Sequence, residues 1–331
     1  MIRMTFMVVA LSVSASLFSC SRTGQKASGP PEKVTIALSA TTDAVLAEVA
    51  QVQGLYRREG LEAILHLHPY GKLALEDVLS GQADFATVAE TPVMFAIMKG
   101  EKISVIASIE SSHRDNAIIA RRDRGILTLK DLKGKKVAVT RGTTSDYFLD
   151  AILVPKGVAP KEVELADLKA EKIPQALANG DIDAASTFNP YTLQAQKKLG
   201  GRGITFQDEN IYTWTFNLVA TQEFIRKNPE RVKKMLRALV RAEEFVSQNG
   251  TQAQKILVDF TGIDIEIVRA VWADTTFRVS LDQALILALE DESQWAIANG
   301  LTSATKIPNY LDFIYLKGLQ EVKPEAVRIL R

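Results

Sequence analysis

The stretch VLSGQADFATVAETP, residues 78–92, has a counterpart about a hundred positions later in LANGDIDAASTFNPY, residues 177–191. Aligning the two segments brings four pairs of residues together: Gly81 with Gly180, Asp84 with Asp183, Ala86 with Ala185 and Glu90 with Asn189. Each copy carries a short apolar strand, DFATVA or AASTF, ahead of a helix start. A self-match of this kind indicates that one supersecondary unit is used twice.

A second pair of segments agrees in order and, nearly, in offset. IALSATTDAVL, residues 36–46, resembles VAVTRGTTSDYFL, residues 137–149, and each is an apolar strand followed by a Thr-Thr turn that opens a helix. The two matches predict two similar lobes, each with two loops at the carboxyl ends of its strands. Because open α/β sheets bind ligands at those ends, facing lobes would form a cleft lined by four loops.

Strand-like and helical runs alternate from Val34 to about Thr221, as in VTIAL followed by AVLAEVAQVQGLYRREG. This βα alternation predicts an α/β fold in which each lobe is a mainly parallel sheet flanked by helices. Beyond Thr221 the pattern turns wholly helical, which predicts a helical C-terminal portion.

The amino-terminal segment has the pattern of an export signal. Residues 1–19 carry one charge, Arg3, before an apolar run that ends in SLFSC. Cys20 lies where a signal peptidase would cut, and LFSC resembles a bacterial lipobox, so we predict a lipidated Cys20 and a periplasmic or cell-surface lipoprotein. The alternative is a signal-sequence cysteine of no consequence. Residues 20–33, polar and rich in glycine and proline, predict a lipid-anchored flexible linker.

The composition argues against several other classes of protein. The chain has 40 basic and 39 acidic residues and no basic stripe with interleaved aromatics, so nucleic acid is not expected as a partner. Cys20 is the only cysteine, so packed apolar surface, not disulfides, must stabilise the mature domain. Roughly three hundred residues follow the linker, enough for two lobes with substantial cores.

Three ordered segments resemble the solute-binding proteins of ABC importers for nitrate, sulfonates, taurine and thiamine-precursor pyrimidines. They are GLYRREGLEAILHLHPYGKLALEDVLSGQADFATVAETPVMFAIMKGEKISVIASI (54–109), LKDLKGKKVAVTRGTTSDYFLDAIL (129–153) and IPQALANGDIDAASTFNPY (173–191). The resemblance implies the two-lobed periplasmic-binding-protein fold of type II, which closes on its ligand like a hinged trap. It also implies a small-molecule ligand, ABC permease subunits as partners, no cofactor and a monomer.

In such a fold the chain crosses between the lobes twice. We place the crossings near residues 112–121 and 212–220. The larger lobe then comprises residues 34–113 plus 219–331, and the smaller lobe comprises residues 114–218.

The Thr-Thr turn of the second copy is the main candidate for ligand contact. Gly142 lets the backbone turn without a Cβ penalty, and Thr143 stands where a helix N-cap is expected. The N–H groups of Thr144 and Ser145 then point out of the helix start, with the positive end of the helix dipole behind them. The turn therefore predicts contact with an anionic or strongly accepting group. The alternative is an ordinary capped helix with its hydroxyls in water.

Five further residues complete the predicted site. Thr41 and Thr42 supply the facing donors from the equivalent turn of the other lobe. Glu90 either attracts an amine, an amidine or another donor of the ligand, or caps the helix that begins beside it. Asn189, its counterpart, can donate or accept and so does not discriminate between ligands. Trp214 is the aromatic residue expected to stack on a flat ligand.

The histidines do not favour a metal site. His66 and His68 alternate along a strand and share a face, with His113 remote from both. Without further cysteines or a clustered acidic helix, a solvated strand face is the better interpretation, and no metal is predicted.

An enzyme is the alternative from another class. The same two-lobed fold occurs in thiamine-pyrimidine synthases and in some menaquinone-pathway enzymes, so the fold alone does not exclude catalysis. The chain shows no serine nucleophile elbow, no paired carboxylates and not the cysteine cluster of those synthases. We therefore predict no catalytic residue, and a solute-binding lipoprotein for a small polar or anionic ligand, nitrate-, sulfonate- or taurine-like or aminopyrimidine-like.

Overall fold

The computed structural model describes residues 30–211 and 213–330, in which strands alternate with helices along most of the length. The strands are β1 (Glu32–Ser39), β2 (Leu61–His68), β3 (Phe85–Ala89), β4 (Ile103–Ser112), β5 (Asn116–Arg121), β6 (Lys136–Val139), β7 (Glu164–Asp167), β8 (Ala184–Phe188), β9 (Gly203–Phe206), β10 (Trp214–Thr221), β11 (Thr275–Asp282) and β12 (Val327–Arg328). The α-helices are α1 (Val45–Val52), α2 (Leu55–Arg58), α3 (Gly71–Leu79), α4 (Glu90–Met98), α5 (Thr144–Leu153), α6 (Ile173–Asn179), α7 (Tyr191–Leu199), α8 (Gln222–Lys227), α9 (Pro229–Gln248), α10 (Gly250–Thr261), α11 (Ile265–Ala273), α12 (Gln283–Ala298) and α13 (Leu316–Val322).

The strands form two sheets, one in each lobe, which confirms the α/β class. The larger sheet has the order β12-β11-β4-β10-β3-β1-β2, and the smaller has the order β7-β6-β8-β5-β9. The parallel pairing that the βα alternation predicts holds for β2-β1-β3 and β7-β6-β8. However, β10 is antiparallel to β3 and β5 is antiparallel to β8, so the sheets are mixed. The chain enters β5 and β10 from the opposite lobe, not through a covering helix, and this sets their direction.

The sequence repeat corresponds to a repeat in the structure. The order β2-β1-β3-β10 in the larger sheet matches β7-β6-β8-β5 in the smaller. Gly81 and Gly180 both have positive φ, 75° and 87°, a conformation that favours glycine. The carboxylates of Asp84 and Asp183 each accept a hydrogen bond at 2.9 Å from the backbone of the adjacent parallel strand, β1 or β6. The residues that repeat in the sequence therefore have the same backbone geometry in both lobes.

The second crossing between the lobes lies earlier than predicted. The chain leaves the larger sheet between β4 and β5 and returns between β9 and β10. Strand β10 starts at Trp214 and pairs with β4 along its whole length, from Trp214 opposite Ser112 to Thr221 opposite Ile103. The predicted boundary between residues 218 and 219 is therefore wrong, because it cuts through a strand of the larger sheet.

The fold also begins earlier in the chain than predicted. Strand β1 begins at Glu32, inside the predicted linker of residues 20–33. The Glu32 carboxylate pairs with Arg231 at 2.6 Å and also with Lys234, both on α9, which ties this strand end to the larger lobe. The predicted signal peptide and Cys20 lie outside the described residues.

The C-terminal portion is mostly helical but not wholly so. Strand β11 pairs antiparallel with β4, and β12 pairs with β11. The prediction of helix alone was wrong here because β11 finds its partner strand far earlier in the chain. Among the described residues, helix α9 is the longest at 20 residues, and none of the helices there is both long and apolar enough to cross a membrane.

The two lobes contact each other through specific hydrogen bonds. The Tyr191 hydroxyl donates to the Pro69 carbonyl at 2.8 Å, and the Trp295 indole donates to the Asp150 carboxylate at 2.8 Å. One large apolar core surrounds the larger sheet, and two smaller cores cover the faces of the smaller sheet. Each lobe thus has its own core, and the contacts between lobes are largely polar or aromatic.

Candidate functional site

A cavity lies between the lobes at the carboxyl ends of their parallel strands. The space between its lining atoms is about 300 Å³ with the adjoining open solvent included, but the room for the centre of a water molecule is only about 20 Å³ in this arrangement of the lobes. The residues that matter most to its chemistry are Asp43, Lys72, Asp115, Thr143, Thr144 and Trp214. Thr143 and Thr144 belong to the smaller lobe, Asp115 lies in the first crossing, and the others belong to the larger lobe.

Gly142 makes the turn that opens α5. Its φ is 69°, and a Cβ at this position would also lie 3.3 Å from the Lys72 Nζ. The Gly142 N–H donates to the Asp146 carboxylate at 3.0 Å, and Arg141 pairs with the same carboxylate at 2.8 Å. The role of Gly142 is therefore to shape the turn, because its own donor is used within it.

Thr143 occupies the N-cap position of α5, but its hydroxyl does not cap the helix. It donates to the Thr140 carbonyl at 2.7 Å and lies 3.0 Å from the Ser145 hydroxyl. Ser145 is fully buried, and its hydroxyl accepts a hydrogen bond from the Thr140 N–H at 3.1 Å. The expected side-chain cap was wrong because the tight turn brings the Thr140 carbonyl within reach of Thr143. The Ser145 hydroxyl holds the turn together and does not line the cavity.

Thr144 combines exposure to the cavity with unused donors. Its side chain lines the cavity, and within residues 30–211 and 213–330 its hydroxyl makes no hydrogen bond. The backbone N–H groups of Thr144 and Ser145 likewise find no acceptor in that part of the chain. Together with the helix dipole, this end of α5 can bind an acceptor group.

The equivalent turn before α1 has a different chemistry. The hydroxyls of Thr41 and Thr42 donate to the two carboxylate oxygens of Asp43, at 2.8 and 3.2 Å. Asp43 lines the cavity, whereas Thr41 and Thr42 do not. The start of α1 is already occupied, because the Val45 N–H donates to the Glu110 carboxylate at 2.6 Å. The two threonines therefore orient a carboxylate and are not the facing donors that the repeat predicted.

Four carboxyl groups are buried in and around this turn, those of Asp43, Glu48, Glu110 and Asp115. Burial raises the pKa of Asp43 to about 7, although its bonds from Thr41 and Thr42 act to lower it. Burial also raises the pKa values of Glu48, Glu110 and Asp115 well above their usual range, and the charge of Asp43 adds to each. Negative charge in one of these groups therefore makes ionisation of the others less favourable.

Glu90 is the first residue of α4 and is fully buried. Its Oε2 accepts hydrogen bonds from the Thr215 N–H at 2.8 Å and from the Thr215 hydroxyl at 3.0 Å. Its Oε1 has no hydrogen-bond partner in the described part of the chain, and burial raises its pKa to about 7. The side chain is directed to β10 and does not line the cavity, so a contact between Glu90 and the ligand stays a prediction.

Asn189 and Trp214 are placed differently with respect to the cavity. The Asn189 side chain accepts a hydrogen bond from the Thr192 hydroxyl and lies off the cavity lining. Trp214 lines the cavity and stacks on Phe216, with ring centroids 5.5 Å apart. It reaches the cavity from the larger lobe and not from the smaller lobe to which it was assigned. Phe188 of the smaller lobe adds a second aromatic surface to the same cavity.

The two neighbouring histidines bind a side chain of their own lobe. His66 Nδ1 and His68 Nε2 each lie 3.0 Å from one oxygen of Asp77 on α3. Among the residues that the structure describes, no group of three or more histidine, cysteine or acidic side chains has an arrangement that could hold a metal ion. The pair therefore links the edge strand β2 to α3.

The three charged residues of the cavity lining were missed from the sequence: Asp43, Lys72 and Asp115. For Asp43 a signal existed, because it stands in the first copy of the repeat where the second copy has Ser145. Asp115 lies within the predicted crossing at residues 112–121, a place where a hinge brings side chains to the cleft. Lys72 had no comparable signal.

Two lobes with matched sheets around a shared cavity define the periplasmic-binding-protein fold. The structure is similar to the periplasmic aliphatic sulphonate binding protein SsuA from Escherichia coli (TM-score 0.72, 20% identity, covering 86% of this chain and 92% of that one). It is also similar to the periplasmic nitrate-binding protein NrtA from Synechocystis PCC 6803 (TM-score 0.74, 14% identity, covering 90% of each chain). These likenesses confirm the predicted fold.

The chain belongs to the NMT1/THI5-like family, whose model matches residues 42–253. In sequence it is similar to the taurine-binding periplasmic protein of Escherichia coli, with 26% identity over 218 residues that make up 64% of this chain and 67% of that protein. The resemblance inferred from the three ordered segments is thereby confirmed.

Proposed function

We propose that this chain is a solute-binding protein that holds one small polar molecule between its two lobes. The observation that carries the proposal is the shared cavity, to which the smaller lobe contributes Thr144 and the larger lobe contributes Asp43 and Trp214. The proteins similar to it are named for binding taurine, aliphatic sulphonates and nitrate, which supports a role in binding and not in catalysis.

A ligand in this cavity would stabilise the closed arrangement of the lobes. Such a ligand contacts both lobes only when they are together, so its affinity for the closed state exceeds its affinity for the open state. The bonds Tyr191–Pro69 and Trp295–Asp150 join the same two lobes and would break on opening. In the closed state the contacts of the ligand would therefore act together with these two hydrogen bonds between the lobes.

The start of α5 supplies the donors for one end of the ligand. Hydrogen bonds to a charged acceptor contribute about 1.5–3 kcal/mol each, and a partly buried helix end adds up to ~2 kcal/mol. The Thr144 hydroxyl and the N–H groups of Thr144 and Ser145 are the candidate donors. Three such contacts give gross stabilisation in the range of micromolar binding, about 8 kcal/mol, before the costs of association.

The proposal includes a lipid anchor outside the cytoplasm and delivery to an ABC permease. Its support is the amino-terminal pattern that ends at Cys20, together with the periplasmic proteins to which the chain is similar. We expect Cys20→Ala to remain unlipidated and to leave the membrane fraction. Retention of that variant with membranes, combined with no incorporation of labelled fatty acid into wild-type protein, would rule out the anchor.

Two measurements test the binding role itself. Native mass spectrometry of protein purified without denaturation should detect a small molecule that leaves on unfolding. Small-angle X-ray scattering before and after removal of that molecule by dialysis should then show a larger radius of gyration in the ligand-free protein. An unchanged radius with a demonstrably bound molecule would contradict closure of the lobes around it.

A further inference from the structure

The charges that line the cavity are unbalanced. Asp43 and Asp115 both line it and are at least 95% buried. Within the described residues Lys72 is the one basic side chain on the lining, and its Nζ donates to the Arg141 carbonyl at 2.7 Å. Neither carboxylate forms an ion pair with a basic side chain in that part of the chain. The cavity therefore presents two acidic groups against a lysine held by another acceptor.

Further acidic residues behind the lining increase this imbalance. Glu48 and Glu110 lie on the Asp43 side, while Glu90 and Glu292 lie on the Asp115 side, and all four are 99% buried or more. Among the described residues, the Glu48 carboxylate has no hydrogen bond to either oxygen, and each of the other three has one oxygen without a partner. Buried carboxylates are expected to be paired or fully hydrogen-bonded, so this group departs from the rule.

Two side chains on the lining have unused capacity for a ligand. The carboxylate of Asp115 accepts from the Asn116 amide at 3.5 Å, at the limit of a hydrogen bond, and the backbone N–H of Asn189 lies close enough to act to lower its pKa. Thr144 is 98% buried as a residue, and its hydroxyl makes no hydrogen bond within the described residues. Both side chains lie on the cavity lining, one in the first crossing and the other in the smaller lobe. The buried acidic cluster thus meets a cavity whose polar lining is incompletely satisfied.

The aromatic side chains of the cavity are suited to the same kind of ligand. Trp214 and Phe216 stack at 5.5 Å, and Tyr70 packs edge-on against Phe188 with centroids 6.4 Å apart. All four rings contribute to the lining. Aromatic faces attract a cationic nitrogen, and carboxylates accept its hydrogen bonds.

We propose that the ligand is a small organic cation whose protonated amine or amidinium group lies between Asp43 and Asp115. This inference rests on the proposed solute-binding function and specifies its ligand class. The acceptor groups of such a molecule, where it has them, face Thr144 at the start of α5. A simple anion such as nitrate disfavours ionisation of the two buried acidic groups and a cation favours it, so we expect an anionic group only as one end of a molecule that also carries a cation.

Pairs of compounds that match in shape but differ in charge test the proposal. The probes are benzamidine against benzamide, and taurine against 2-hydroxyethanesulfonate, each titrated into wild-type protein by isothermal calorimetry. We call benzamidine and zwitterionic taurine the cationic members, because each carries the protonated nitrogen that its partner lacks. We expect the cationic member of at least one pair to bind at least about tenfold more tightly than its partner. A smaller preference in both pairs, or no binding by either cationic member, overturns the proposal.

Substitution of Asp115 identifies the group that selects the charge. Asp115→Asn keeps the shape of the side chain, and we expect it to remove most of the preference for the cationic member while the protein stays folded. Asp312→Asn is the matched control, because it removes one carboxylate from an exposed position remote from the cavity lining. An Asp115→Asn variant that is folded by circular dichroism and keeps the full preference would also refute the assignment.

The outcomes of these experiments distinguish failure of the cationic ligand class from failure of the proposed solute-binding function. If a neutral or anionic probe binds and reduces the radius of gyration, the solute-binding role stands and the cationic ligand class is wrong. If no probe binds and native mass spectrometry finds no co-purified molecule, both fail together.

Discussion

The turns before α1 and α5 have the same backbone design but opposite chemistry. Before α1 the cavity is lined by the carboxylate of Asp43, and the helix start is filled by Glu110 from β4. Before α5 the cavity is lined by Thr144, and the first N–H groups of the helix have no acceptor within the described chain. The one buried carboxylate of the α5 turn, Asp146, is neutralised by Arg141 at 2.8 Å.

This difference shows how a duplicated scaffold produces a cleft with two distinct ends. The repeat determines where the turns meet, because Gly81 and Gly180 and the two aspartates that follow them fix the strand geometry in both lobes. The residues between strand and helix then determine what each turn binds. One end accepts hydrogen bonds and the other donates them, so a ligand that spans the cleft is expected to be polar at both ends.

The largest effect is expected from the group that fills the start of α1. Glu110→Ala removes the acceptor of the buried Val45 N–H and leaves a void, whereas Glu110→Gln keeps both an acceptor and the volume. We expect the alanine variant to be less stable than the glutamine variant by about 2–4 kcal/mol in urea unfolding. Equal stabilities would mean that Glu110 does not support this helix start.

The next effect concerns the pH dependence of stability in ligand-free protein. Since the pKa values of Asp43 and Glu90 are raised to about 7, the folded state keeps protons that the unfolded chain releases above about pH 4. Stability from this source is complete below about pH 4 and is lost as the pH rises toward 7. We expect the free energy of unfolding to fall by about 2–4 kcal/mol between about pH 5 and pH 8.

Chemical denaturation across this range measures the slope, and Asp43→Asn should flatten it. The lowered pKa values of Glu32 and Asp183 act in the opposite sense, but only below about pH 4. A rise in stability from pH 5 to pH 8 would contradict this prediction. It would mean that the ionised forms of the buried acidic groups are stabilised by interactions that the structure does not show.

A smaller effect should separate two adjacent threonines of the α5 turn. Thr144→Ala removes a cavity hydroxyl, so it should weaken binding of the co-purified ligand by about 1–3 kcal/mol and leave stability unchanged. Thr143→Ala removes the hydroxyl that donates to Thr140, so it should lower stability by about 1 kcal/mol with or without ligand. If calorimetry finds that Thr144→Ala binds as tightly as wild type, this turn only starts a helix.

The smallest effect is expected from the charge pair of the same turn. Arg141→Met leaves the Asp146 carboxylate without its cation, but Arg141 is 40% exposed and its side chain is screened by solvent. We expect a loss of stability of no more than about 1 kcal/mol, measured by thermal unfolding, with Arg141→Lys recovering part of it. A larger loss would mean that neutralisation of Asp146 is central to the turn.

The parts of the fold that the sequence predicted are those determined locally. The repeat could be recognised because a left-handed glycine and a strand-bonded aspartate require the same residues wherever they occur, as at Gly180 and Asp183. Strand β11 was missed because its partner β4 is far away in the chain, and the crossing before Trp214 was misplaced for the same reason. Long-range pairing has no local signature.

The site was predicted less well than the fold because burial of polar groups depends on tertiary packing. The hydroxyls of Thr41, Thr42, Thr143 and Ser145 were expected to contact ligand, yet each of them bonds to its own turn. Thr143 and Thr144 both line the cavity, but the Thr143 hydroxyl is used within the turn and the Thr144 hydroxyl makes no hydrogen bond among the described residues. Residue type therefore indicated a turn that lines the cavity, but it did not show which of its hydroxyls are already used within the turn.

The position of β4 has a consequence for the order in which the chain folds. All five strands of the smaller sheet lie between residues 116 and 206, whereas the neighbours of β4 in the larger sheet are residues 214–221 and 275–282. A growing chain can therefore complete the smaller lobe while the apolar strand β4 still has two unpaired edges. Because closing a long loop slows folding more than it lowers stability, we expect the larger lobe to fold more slowly than the smaller one. Until β10 and β11 arrive, β4 is an exposed edge strand of the kind that templates aggregation.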